Sequence, residues 1–172
     1  NANGIAIGNG SKIGIGANNI VIGTNALQND VSGIDNTIIG NSTAITLTTG
    51  GMNVIMGASS NVNAAATANA VILGAGASGS STCVVIGQGA SASGGNSIAI
   101  GQGASAQGVQ DTVIGTNSKT GSGANNTSFG YNVGSASTTS SDNSFIGSSV
   151  GVLCTTGSRN TALGSSVLLL NI

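Results

Sequence analysis

A β-branched residue (in one copy a serine), a middle residue, a large apolar residue and a glycine follow one another eleven times along the chain, as IAIG, IVIG, TIIG, VIMG, VILG, VVIG, IAIG, TVIG, TSFG, SFIG and TALG. The closing glycines are Gly8, Gly23, Gly40, Gly57, Gly74, Gly87, Gly101, Gly115, Gly130, Gly147 and Gly164, spaced by 15, 17, 17, 17, 13, 14, 14, 15, 17 and 17 residues. A self-similar period this short predicts a solenoid in which each repeat is one coil stacked on the next. The expected fold is all-β: a parallel β-solenoid, or β-roll, of about eleven 13–17-residue coils forming one repeat domain over residues 1–172, a segment of a longer fibre.

Within a coil, positions two apart share one face of a strand. The residue before the glycine is always large and apolar: Ile7, Ile22, Ile39, Met56, Leu73, Ile86, Ile100, Ile114, Phe129, Ile146 and Leu163. Three before it stand Ile5, Ile20, Thr37, Val54, Val71, Val84, Ile98, Thr112, Thr127, Ser144 and Thr161, β-branched in all but one case and suited to a strand. These two columns are expected to line the inside of the coil. The position between them then points outwards, yet it is also apolar in most coils, with Val21, Ile38, Ile55, Ile72, Val85, Val113 and Phe145 among its members. Strands apolar on both faces are buried on both faces. This second stripe is therefore expected to be covered by another chain, since left bare it would invite aggregation. On that assignment, a charge at Ile100 breaks the coil and a charge at Val113 weakens assembly.

Turn formers follow each glycine, as in Asn9-Gly10, Thr24-Asn25, Gln88-Gly89 and Thr116-Asn117, and Gly and Asn tolerate the positive φ of a tight corner. Three residues past the glycine a small or apolar side chain returns (Ala26, Thr43, Ala77, Ala104, Val133), marking a second, thinner strand. Four residues before the glycine stand Asn19, Asn36, Asn53, Asn126, Asn143 and Asn160, whose stacked amides are expected to hydrogen-bond from coil to coil as a ladder.

Composition narrows the function. Apolar residues make up 39% of the chain, charged residues 4% and aromatic residues 2%, with 30 Gly and no Pro. Fixed placement of Ile and Val argues for order rather than a low-complexity coil. Three basic residues, Lys12, Lys119 and Arg159, face four acids, Asp30, Asp35, Asp111 and Asp142, for a net charge of −1. No basic cluster exists to bind nucleic acid or an anionic membrane surface, and no apolar run reaches the roughly 20 residues of a membrane-spanning helix. There is no His, no Glu and no Trp. Without a general base or paired carboxylates no catalytic constellation can be drawn, and the chain reads as non-enzymatic with no cofactor and no metal. Cys83 and Cys154 lie in coils about 20 Å apart at about 4.8 Å per coil, beyond disulfide reach, and read as small buried hydrophobes rather than interchain bridges. Tyr131, placed in a corner, is the one aromatic expected to be exposed and a candidate to stack on a sugar. Sequons at Asn41, Asn125 and Asn126 matter only in a host with N-glycosylation.

The segment GQGASASGGNSIAIGQGASAQG, Gly87 to Gly108, resembles the YadA-like head repeat of trimeric autotransporter adhesins. The C-terminal units, including NNTSFG, NSFIG and NTALG, resemble the N-T-A-x-G repeats of phage and viral tail-fibre proteins. These resemblances imply a left-handed β-roll, three chains side by side about a threefold axis, and a role in surface attachment. The expected protein is an extracellular structural or adhesive fibre segment on a cell or virion surface. It forms a homotrimer that binds a cell-surface glycan or matrix ligand, with no nucleic acid and no direct membrane insertion. The alternative is a passive filament or coat whose binding module lies elsewhere. More remote is an ice-binding solenoid, for which Thr37, Thr112, Thr127 and Thr161 form too interrupted a column and are assigned to the coil interior.

Overall fold

The computed structural model describes residues 3–135, 137–167 and 170–171, and no helix occurs among them. The chain divides into two compact units, Asn1–Gly89 and Ala90–Ile172. Each is a parallel β-solenoid, so the expected fold class holds at this level.

The first unit carries β1 (Ile5–Ile7), β2 (Ile20–Ile22), β3 (Thr37–Ile39), β4 (Val54–Met56), β5 (Asn61–Val62), β6 (Val71–Leu73), β7 (Ser78–Gly79) and β8 (Val84–Ile86). Strands β1, β2, β3, β4, β6 and β8 lie side by side in one parallel sheet, while β5 and β7 pair on the opposite wall. The second unit carries β9 (Ser91–Ala92), β10 (Ile98–Ile100), β11 (Ser105–Ala106), β12 (Thr112–Ile114), β13 (Thr127–Tyr131), β14 (Ser144–Ser148), β15 (Leu153–Cys154), β16 (Thr161–Ser165) and β17 (Leu170–Asn171). Its main sheet runs β10-β12-β13-β14-β16, and β9 pairs with β11 and β15 with β17. Register follows the repeat: Ile5 stands beside Ile20, Val54 beside Val71, and Gly130 beside Gly147. Corner length varies without disturbing this alignment.

Three left-handed or otherwise positive-φ positions recur in every coil. The closing glycines have φ from 129° to 144°. At Gly57 a Cβ would also lie 2.6 Å from the backbone of Gly74 in the next coil, so a side chain is excluded twice over. Two residues on, φ lies between 51° and 69°, at Gly, Asn or Ser in each coil, as the turn residues predict. Five residues before the glycine, φ lies between 56° and 62° in all eleven coils. Asn or Asp holds seven of these places (Asn3, Asn18, Asp35, Asn69, Asn96, Asn125, Asp142), the two types that reach this region most readily after glycine. The coils that follow Gly23, Gly40, Gly130 and Gly147 add a fourth such residue, Leu27, Ala44, Gly134 or Gly151, where their longer corner folds back.

The interior is filled by the middle column and not by its neighbours. Val21, Ile38, Ile55, Ile72, Val85, Ala99, Val113, Ser128, Phe145 and Ala162 are all buried. The opposite corner meets them with Ala26, Ala77, Ala90, Ala104, Val133 and Val150, also buried, and the short second strands add Val62, Ala92 and Ala106. The expected inside and outside are thus reversed. The coil-core column Ile7, Ile22, Ile39, Met56, Leu73, Ile86, Ile100, Ile114, Phe129, Ile146 and Leu163 faces outwards, together with the column two residues before it. The stripe Val21, Ile38, Ile55, Ile72, Val85, Val113 and Phe145, expected between chains, lies inside the coil.

The physical reason is alternation combined with the ladder. The position four before the glycine shares a strand face with the position two before it. A stacked Asn must have its amide enclosed among coil backbones, and that places the middle residue inside as well. The lumen is narrow enough that Gly151 lies against the Phe145 ring, where an added Cβ would come within 2.5 Å of Cε2. One inward side chain per strand fills it, and where the middle residue is polar the coil supplies a partner: Ser128 Oγ donates to the Lys119 carbonyl at 3.2 Å.

Candidate interaction face

The ladder is formed as the sequence predicts. In the first unit Asn36 Nδ2 donates to Asn19 Oδ1 at 3.1 Å and Asn53 Nδ2 to Asn36 Oδ1 at 2.9 Å, and Asn53 Oδ1 accepts the Ala70 N–H at 3.0 Å. In the second unit Asn143 Nδ2 donates to Asn126 Oδ1 at 3.2 Å and Asn160 Nδ2 to Asn143 Oδ1 at 3.0 Å. Asp111 is the member of this column preceding Asn126. Its Oδ1 accepts from Asn126 N and Nδ2, and its Oδ2 accepts the Gly108 N–H at 2.9 Å. Burial raises its pKa above the ordinary carboxylate value, against the opposing pull of these hydrogen bonds and one from Thr120. The column is structural: its polar atoms are spent on neighbouring coils, and no buried side-chain nitrogen or oxygen among the described residues lacks a partner.

Little chemistry remains elsewhere. No group of potential metal ligands and no pocket occurs among the described residues. Cys83 and Cys154 are free and buried, and burial pushes the Cys83 thiol up to about 11 and raises that of Cys154. Asn126 is enclosed in the ladder, whereas the sequon residues Asn41 and Asn125 are exposed. Among the described residues no helix is long and apolar enough to cross a membrane.

What the fold does present is an apolar sheet face on each unit. In the first, Ile5, Ile7, Ile20, Ile22, Val54, Met56 and Ile86 are exposed in two adjacent columns, with Thr37, Ile39, Val71, Leu73 and Val84 half-buried between them. In the second, the column before the glycine carries Ile100, Ile114, Phe129, Ile146 and Leu163, the last 73% exposed. Its neighbouring column begins with Ile98 and continues with Thr112, Thr127, Ser144 and Thr161. The Thr residues assigned to the interior therefore point outwards. Neither column holds a charge. The opposite walls differ: β5 and β7 turn Asn61 and Ser78 outwards, and β9 and β11 turn out Ser91 and Ser105, so polarity separates the two sides of each coil.

Tyr131 closes β13 rather than lying in a corner, and is 58% exposed. It is not alone, because Phe129 on the same strand is 52% exposed. The sequence marks Phe129 as a core residue on its column, and only the reversal of faces brings it out. Comparison with family models, with curated proteins and with solved structures returns no match to this chain.

Proposed function

We propose that this chain is a non-enzymatic segment of an extracellular attachment fibre, built from three copies side by side with the apolar sheet faces covered by one another. One observation carries the reading: the main sheet of the first unit bears two adjacent, largely apolar columns and that of the second an apolar column beside a hydroxyl one, all uncharged and half-buried or exposed in the single chain. A face of this length and composition is a liability in a free monomer and a contact surface in an assembly. Each such side chain, already partly covered, contributes about 1 kcal/mol when the rest is removed from water. A second copy is the partner that fits, because it brings the same apolar columns at the same coil spacing of about 4.8 Å. The resemblance of Gly87–Gly108 to adhesin head repeats, and of the C-terminal units to tail-fibre repeats, supports three copies and a place on a cell or virion surface.

The polar wall of Ser and Asn stays towards solvent, nearly free of charge, and suits weak repeated contacts with a surface glycan or matrix ligand. Sedimentation velocity with native mass spectrometry tests the assembly: a mass three times that of the chain is expected, and a soluble monomer with intact β-structure overturns the reading. Binding to glycan- or matrix-coated surfaces is expected to need the trimer and to survive Tyr131→Ala. Binding by a monomer, or its loss in that variant, points instead to one discrete site.

A further inference from the structure

We infer that the hydroxyl column of the second unit, Thr112, Thr127, Ser144 and Thr161, sets the register between copies of the chain by closing one ring of three hydroxyls per coil. The inference rests on the trimeric reading above and deepens it.

The four residues are in line: Thr112 stands beside Thr127, Thr127 beside Ser144 and Ser144 beside Thr161 on β12, β13, β14 and β16. They flank the outward Ile114, Phe129, Ile146 and Leu163, so whatever covers that apolar column covers the hydroxyls too. Hydroxyls elsewhere in the coils find partners inside the chain: Thr43 Oγ1 donates to the Gly57 carbonyl at 2.6 Å, Ser118 Oγ to Gly130 at 2.6 Å and Ser60 Oγ to Gly57 at 2.8 Å. No described residue exchanges a hydrogen bond with the side-chain oxygen of any of the four. Their hydrogen-bonding capacity is carried unmade into the contact.

Covering them with an apolar partner takes each hydroxyl out of water and leaves it unpaired, which is unfavourable. A second copy instead offers a hydroxyl at each of these four coils. The donor count disfavours a facing pair, since each hydroxyl has one proton to give and lone pairs to accept. Two facing hydroxyls make one bond and strand one donor. A ring of three, the number in the trimeric reading, is the smallest in which each donates once and accepts once. The register follows from the end of the column, because the residue beside Thr112 on β10 is Ile98. A slip of one coil sets Ile98 against a hydroxyl and leaves another hydroxyl without its match, so the in-register arrangement is the one with no buried orphan.

The test uses the full chain with a nitroxide on Gln102→Cys or, separately, Ser165→Cys, both exposed, while the buried Cys83 and Cys154 stay unlabelled. Pulsed dipolar spectroscopy is expected to give one narrow interchain distance at each site. In the background Thr112→Val, Thr127→Val, Ser144→Ala, Thr161→Val the assembly is expected to persist, with each distribution split into two or more distances as slipped registers become populated. If that variant aggregates, Thr127→Val with Thr161→Val is measured in the same way. A single narrow distance retained in the hydroxyl-free background overturns the inference and leaves the trimer standing. A monomeric starting protein, seen by sedimentation, overturns the trimeric reading itself.

Discussion

Asn53 donates to Asn36 Oδ1 twice, from its side-chain Nδ2 at 2.9 Å and from its backbone N–H at 3.1 Å, although 17 residues separate the two in sequence. Asn36 in turn donates to Asn19 Oδ1 at 3.1 Å and to the Gly50 carbonyl at 3.0 Å. One side chain thus joins three coils in a buried column.

Asn36→Ala leaves the Asn53 N–H and the Gly50 carbonyl without a partner, while Asn53 Nδ2 keeps the Thr67 carbonyl and Asn19 Oδ1 keeps the Asn36 N–H. With two buried groups unpaired, a loss of about 2–4 kcal/mol is expected in urea unfolding followed by circular dichroism. Asn36→Asp should cost most near neutral pH, since a carboxylate would face the Gly50 carbonyl that the native amide donates to. Asp111 tolerates its carboxylate because the Gly108 N–H, not a carbonyl, is turned towards it.

The reversal of faces changes where a charge does harm. Val113→Asp buries an unpaired carboxylate in the lumen, and several kcal/mol of coil stability should go with it. Ile114→Asp and Ile100→Asp place the charge on the outer face, where the β-sheet circular dichroism spectrum should survive while sedimentation shows weakened association. Equal loss of structure in the inner and outer variants would mean that both columns are needed within the coil.

Acid should strengthen the second unit through Asp111. Burial raises its folded pKa above that of the unfolded chain, so between those two values the folded state holds more proton. Stability therefore falls as pH rises through that window and is regained as pH drops below it. The urea midpoint is expected to rise on acidification from neutral pH, and Asp111→Asn should flatten the slope.

Both thiols should be silent in the native protein. Cys83 ionises near 11 and both sulfurs are enclosed, so an aromatic disulfide reagent at pH 8 should find no thiol until denaturant is added, and two afterwards. Rapid native reaction of either would show that its coil opens locally.

The sequence by itself determined the period, the parallel stacking, the glycine corners and the Asn ladder, because each is a local requirement repeated in every coil. The place of Gly57 is legible since no side chain fits there, and that of Asn36 since an amide can bond its own copy one coil away. A further signal was also present: Asn or Asp at the left-handed position five before the glycine, as at Asn18 and Asn125, marks the corner that turns Asn19 and Asn126 inwards.

Only the tertiary structure decided which apolar face is the lumen. Hydrophobicity could not choose between Val113 and Ile114, since both columns are apolar and a strand carries its two faces equally. The choice came from fitting one coil around itself. The lumen admits a single side chain per strand opposite residues such as Ala104 and Val133, and the enclosed amide at Asn126 commits the residue two places on, Ser128, to the same side. That same geometry turned Phe129 and the Thr112–Thr161 hydroxyls outwards, making an outward face of what the sequence presented as a core.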